Sequence, residues 1–244
     1  MGSKVAEPTV LYTKERHVAN LVLNRPGVIN AYNIQMRDEL FESLAAAKDD
    51  SDVRVLVLSG SGERGFCAGA DLTEFGTAPS LAVARRVRWE RDVWGLFLSI
   101  RKPLIAAVHG FVIGSGVEMA CLCDVRIASD DAVFSMPEVA LGMVPAAGGT
   151  QTLPRVVGVG AALELMLINR RVTASEAKDM GLVHRVVAGG DLMDTANLLA
   201  RELASRNPSV LSAAKSAVVD GLDLHLDDGL RLEERLTIQA YFGA

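Results

Sequence analysis

The chain has little of what would place it outside a reducing, aqueous compartment. Its 244 residues contain only three cysteines, Cys67, Cys121 and Cys123. An odd number of thiols in apolar surroundings argues against a disulfide framework. Cys121 and Cys123 stand one residue apart with no further ligand cluster nearby, so no metal is expected. No apolar run is long enough to cross a bilayer, so no membrane partner is expected. The first eight residues hold neither a signal-peptide core nor an arginine-rich amphipathic pattern, and the expected location is the cytoplasm. Positive charge is in deficit too: the net charge is −5, so nucleic acid is not the expected partner. No Pro/Ser-rich linker divides the chain. No G-x-S-x-G elbow is present, because Ser115 has Ile113 and Val117 two residues away.

What the chain has is apolar substance, half of its residues, arranged in alternating elements. Residues 10–13 and 18–23 read as paired strands. Asn33 reads as the cap of a helix over 34–48, with Met36, Leu40 and Leu44 on one face. Residues 53–59 and 104–108 read as buried parallel strands, 125–128 and 133–135 as short ones. One long amphipathic helix is expected over 81–99. Residues 161–168 are helical. Thr173 to Glu176 form a capping box before a short helix that Gly181 stops. A last strand over 183–187 precedes helices over 191–205, 208–220 and 227–242. The strand–strand–helix repetition predicts an α/β fold wound as a right-handed spiral.

The most informative stretch runs from His109 to Gly149. A buried strand ends at Val108, and Gly110 to Gly116 form a glycine-rich turn before a helical pattern from Val117 to Cys123. N–H groups in the first turn of a helix lack intrahelical acceptors and sit at the positive end of its dipole. The Gly114-Ser115-Gly116 turn is therefore a place to hold an oxyanion. Two glutamates stand in apolar company here, Glu118 beside Val117 and Met119, and Glu138 between Pro137 and Val139. Singly, Glu118 reads equally well as a first-turn helix residue and Glu138 as a loop salt-bridge partner. Two acids facing one apolar pocket push their proton affinities apart, and beside an oxyanion turn they form a catalytic pattern. One competing motif is Gly60-Ser-Gly62-Glu-Arg-Gly65, which has the spacing of a dinucleotide-binding turn. Residues 66–73 give it no helix to open and no acid-ended strand follows, so the match is weak.

The motifs Leu23-Asn-Arg-Pro with Asn30-Ala31, Gly65-Phe-Cys-Ala-Gly-Ala-Asp71, Ile105-Ala-Ala-Val-His-Gly110, Gly114-Ser-Gly-Val-Glu118, Met136-Pro-Glu138 and Pro145-Ala-Ala-Gly-Gly-Thr150 occur in that order over most of the chain. This ordered set resembles the crotonase superfamily of enoyl-CoA hydratases and isomerases. The resemblance implies a crotonase-like spiral of ββα units over 1–190 and a helical oligomerisation region over 191–244, giving a homotrimer or a dimer of trimers. It implies no cofactor beyond the coenzyme A of an acyl-CoA thioester substrate. Glu118 matches the water-activating base and Glu138 the group that protonates the α carbon. Ala70 and Ser115 match the two oxyanion N–H donors, and Ala146 the backbone that helps position the water. Serine at 115 departs from the glycine of many hydratases; Met136 and Ala146 replace a glutamine and a glycine.

For substrate and CoA binding, the same resemblance points to Arg25, Val28, Ala31, Phe66, Ala68, Asp71, Leu72 and Gly114. Phe75 and Trp89 are the expected acyl-pocket walls. Arg85, Arg86, Arg88 and Arg91 read as a solvated helix face, with a CoA phosphate or a subunit neighbour as the lesser reading. Members typically continue beyond the position of Ala244 into one more helix over the CoA site. The implied reaction is hydration of a trans-2-enoyl-CoA to a 3-hydroxyacyl-CoA. A double-bond isomerase, a cyclic dienoyl-CoA hydratase, a CoA thioester hydrolase and a non-catalytic interaction protein are the alternatives.

Overall fold

A computed structural model describes residues 7–74 and 77–242, with the side chains of Leu81, Ala84, Arg85 and Arg88 left aside. Two sheets are wound together. The larger has six strands: β1 (Val10–Glu15), β2 (Val18–Leu23), β3 (Val55–Gly60), β4 (Leu104–Val108), β6 (Val125–Ser129) and β9 (Arg185–Val187), in that spatial order. Only the β1–β2 hairpin in it is antiparallel. The smaller sheet joins β5 (Phe111–Ile113), β7 (Val133–Ser135) and β8 (Val172–Thr173). After β4 and again after β6 the chain leaves the large sheet and adds a strand to the small one. That alternation makes a spiral rather than a doubly wound sheet.

Residues 55–58 of β3 and the whole of β4 are apolar because both their faces are covered. Leu56, Leu58, Leu104, Ala106 and Val108 enter the main core between the layers. Their alternating neighbours Val55, Val57, Ile105 and Ala107 enter a second core on the opposite face. The period of two along a strand sends successive side chains to opposite faces. Helix α7 (Leu192–Ala204) closes that second core with Leu192, Ala196, Ala200 and Ala204, spaced to share one helical face. Helix α1 (Ile34–Asp49) starts where Asn33 accepts the Met36 N–H at 2.9 Å, and it buries Met36, Leu40, Leu44 and Ala47 on the main core.

Three expected elements differ. The helix expected over 81–99 is two, α2 (Leu81–Glu90) and α3 (Val93–Ser99). Asp92 takes an N-cap conformation between them, and its Oδ1 accepts the Gly95 N–H at 2.9 Å. The helix expected over 161–168 is the end of α5 (Gly149–Leu167), which kinks at Gly158, where φ is +80°. The last strand begins at Arg185 because the Leu182 and Val183 N–H groups both return to Ala177 O. Beyond α7, helices α8 (Pro208–Gly221) and α9 (Leu226–Phe242) follow; α9 has no buried residue.

Candidate active site

The site lies at the C-terminal ends of β3 and β4, where two loops meet. Residues after β3 run extended beside β5: the Cys67 N–H donates to Phe111 O at 3.1 Å, and Cys67 O accepts from the Ile113 N–H at 2.9 Å. This pairing occupies the segment after Gly65, so Gly60 to Gly65 open no helix. It brings Gly69 against Gly114, close enough that a Cβ on Gly114 would stand 3.7 Å from Gly69 Cα. The Ala70 N–H follows the first loop. The Ser115 N–H opens helix α4 (Ser115–Cys121) at the end of the second. Neither N–H has an acceptor among the described residues, and both residues line one cavity. Gly114 holds φ at +50°, and a Cβ there would collide with Glu138 Oε1, so the turn admits no larger residue.

Glu118 stands one helical turn after Ser115 on α4 and is 3% exposed. Its Oε1 accepts the Gly149 N–H at 2.9 Å from the start of α5. The Ala147 backbone and the Ser115 side chain also favour its ionised form. Burial is the dominant influence and pushes the Glu118 carboxyl up to about 7. The Gly149 bond opposes that rise and the charge of Glu138 adds to it. Glu138 follows β7. Burial raises its proton affinity as well, and its Oε2 is buried with no partner among the described residues. An orphaned buried carboxylate oxygen favours the protonated acid. Met136 is fully buried, and its Cε lies 3.0 Å from where a Cβ on Gly149 would stand. It packs beside the start of α5.

The cavity has a volume of about 450 Å³. Glu118, Glu138, Ala70, Ser115, Gly114, Ala68, Leu72 and Ala146 all line it. Arg25, Val28, Ala31 and Asp71, expected to bind CoA or substrate, stand outside its walls. Arg25 bonds to Ala31 O at 2.6 Å and to Asp71 Oδ2 at 3.0 Å, a pair that ties the 25–31 turn to the 71–74 turn. Val28 is half-exposed on that turn.

Two expected contacts are corrected. The Phe66 side chain is fully buried in the main core, so it packs the protein interior instead of meeting substrate or CoA. Trp89 is 72% exposed on α2 and lies off the cavity, because the break at Asp92 turns Trp94 inward instead. The Trp94 ring stacks on Tyr32, with centroids 5.4 Å apart. Phe75 lies outside the described residues. On the arginine-rich helix, Arg86 pairs with Glu90 at 2.7 Å, and Arg91 pairs with Glu42 on α1 while facing the cavity.

The residues that sequence reasoning passed over are Tyr32, Arg37, Ala147 and Gly149. Asp92 ahead of an apolar turn is an N-cap signal that marks the helix break and with it the inward place of Trp94. Gly149 has no comparable local signal, since its partner is 31 residues away.

Comparison with known proteins is consistent along the chain. The family model described as enoyl-CoA hydratase/isomerase matches residues 13–242. A short-chain-enoyl-CoA hydratase of Clostridium acetobutylicum is 38% identical over 224 residues, covering 92% of this chain and 86% of that protein. A crotonyl-CoA hydratase of Syntrophomonas wolfei is 35% identical over 229 residues, 94% of this chain and 88% of that one. The crystal structure of an enoyl-CoA hydratase from Bacillus anthracis superposes with a TM-score of 0.90 at 34% identity, covering 97% of this chain and 92% of the other. A spiral of this topology, with its paired glutamates and matched over nearly its whole length, belongs to the enoyl-CoA hydratase/isomerase family.

Proposed function

We propose that the protein is an enoyl-CoA hydratase, adding water across the double bond of a trans-2-enoyl-CoA to give a 3-hydroxyacyl-CoA. One observation carries the reading: a buried and a half-buried carboxylate, both with raised proton affinities, line the same cavity as two unpaired backbone N–H groups. The thioester oxygen is placed between the Ala70 and Ser115 N–H groups. Ionised Glu118 takes a proton from water as the water oxygen bonds to the β carbon. The electrons of the double bond move onto the thioester oxygen, where the two N–H groups stabilise the charge. Protonated Glu138 then delivers its proton to the α carbon, and exchange with solvent resets both carboxyls. The presence of both acids in one cavity supports hydration over a double-bond shift, which needs only one group to move a proton between carbons.

The reading requires no cofactor beyond the coenzyme A of the substrate. A cytoplasmic location and assembly into a homotrimer or a dimer of trimers go with it. Helix α9 supports assembly, since it buries no residue and exposes Leu226, Leu230, Ile238, Tyr241 and Phe242. The deciding experiment follows the enoyl-thioester absorbance of crotonyl-CoA. Prompt loss of signal without free CoA, abolished in Glu138→Ala, is the expected result. No loss over a range of enoyl chain lengths would overturn the proposal, and release of free CoA would indicate a thioesterase.

A further inference from the structure

The cavity wall built from α1, the residues before it and the α2–α3 break is not what a plain hydrocarbon tail requires. Tyr32 and Trp94 form a stacked aromatic surface, and Tyr32 pairs through its backbone with Ala70, so this surface begins beside the oxyanion donor. Two guanidinium groups stand in the same wall: Arg37 from α1, and Arg91 from the break between α2 and α3. A cationic group beside a site for alkyl carbon is costly to desolvate unless something polar meets it.

Both arginines are held in place yet keep donors to spare. Arg37 uses Nε and Nη2 on the single oxygen Asp38 Oδ1, at 2.9 Å each, and its side chain is 22% exposed. Its Nη1 has no partner among the described residues. Arg91 donates through Nη1 to Glu42 Oε1 and lies 5.2 Å over the Phe41 ring, which leaves Nε and Nη2. A guanidinium carries five N–H donors, so neither pair exhausts its group. The one acid in this wall, Asp92, has its carboxylate committed to the first turn of α3. The Tyr32 hydroxyl, also without a hydrogen-bond partner among the described residues, adds a neutral polar group.

Resting on the hydratase reading, we infer that Arg37 and Arg91 select an acyl group whose far end carries a carboxylate, that is, the mono-CoA thioester of an unsaturated dicarboxylic acid. The aromatic stack takes the methylene segment, and the spare N–H donors of the two arginines take the carboxylate oxygens.

The test compares trans-2-enoyl-CoA substrates of equal length that end in a carboxylate or in a methyl group. The carboxylate-ended substrate is expected to have the higher kcat/KM by roughly tenfold or more, the scale of a charge-assisted contact. Arg37→Gln is expected to collapse the ratio toward one, and Arg37→Lys to recover part of it. Arg91→Gln also removes the Glu42 pair and the Phe41 contact, so Arg37 gives the cleaner variant. A parallel binding measurement uses saturated acyl-CoA thioesters with the same two endings and needs no turnover. Tighter binding of the carboxylate-ended thioester, lost in Arg37→Gln, supports the subsite even if no hydration is seen, in which case the hydratase reading falls alone. Hydration of methyl-ended substrates with no preference for the carboxylate in either measurement overturns this inference and leaves the hydratase reading intact.

Discussion

Gly149 and Glu118 meet twice over: the Gly149 N–H donates to Glu118 Oε1 at 2.9 Å, and a Cβ on Gly149 would stand 2.7 Å from that same oxygen. A side chain at this position requires the carboxylate to move. Gly149→Ala keeps the N–H but pushes the carboxylate aside, and the Met136 Cε, 3.0 Å from the added Cβ, must give way as well. Misplacing a catalytic group by a fraction of its reach costs on the order of 100-fold in rate. The variant is expected to lose kcat on that scale while keeping a native circular-dichroism spectrum. A kcat within twofold of the parent would show that Glu118 is not the group the glycine positions.

The pH profile follows from the state of Glu118. In the proposed reaction the ionised form is the base, and the carboxyl is pushed up to about 7. Activity should therefore fall as pH drops through about 7, with kcat/KM tracing a single acid limb there. The Ser115 hydroxyl holds the Glu118 value down against the rise that burial causes. Ser115→Ala should move that limb to higher pH while keeping the backbone donor. An acid limb centred near 4.5, the ordinary glutamate value, would mean that burial does not govern this group.

Stability should move against function at the same residue. A carboxyl raised from 4.5 to about 7 on folding binds its proton more tightly in the folded state. Its stabilising contribution is full below the unfolded value and is lost as pH rises through about 7. The span corresponds to about 3 kcal/mol. Glu118→Gln stays neutral and still accepts from the Gly149 N–H, so it should match the parent near pH 4.5 and exceed it in stability at pH 8 by up to that amount. Urea unfolding at the two pH values gives the comparison, and equal curves at pH 8 would reject it.

How far the sequence revealed this site depended on how local each signal was. Glu118 and Ser115 were legible because a strand, a glycine turn and a helix stand in order within one short stretch. Strands β3 and β4 were legible because burial on both faces leaves an unbroken apolar run. The small sheet was harder to read, since β5 and β7 have three residues each and β8 only two, too few for a periodic pattern. Residues 81–99 looked like one helix because their amphipathic run continues across Arg91 and Asp92, and that misplaced the aromatic wall at Trp89. Arg37 was invisible as a site residue: nothing within α1 shows that this position faces a cavity whose other walls come from α3 and α4.

The oxyanion role proposed for residue 115 can be separated from its side chain by proline. Ser115 is the first residue of α4, and its N–H has no helical acceptor. Proline is tolerated at that position, because it removes only a donor that the helix does not use. Ser115→Pro is thus expected to leave the fold and the thermal transition close to the parent. It should also cut kcat by about 100- to 1000-fold, the loss seen when one oxyanion donor is removed. Ser115→Ala is the paired control, since it loses the hydroxyl and keeps the N–H. A large loss in Ser115→Pro alone assigns the effect to the backbone donor. Equal losses in both variants would assign it to the hydroxyl, and Ala70 would then be left as the single N–H on the thioester oxygen.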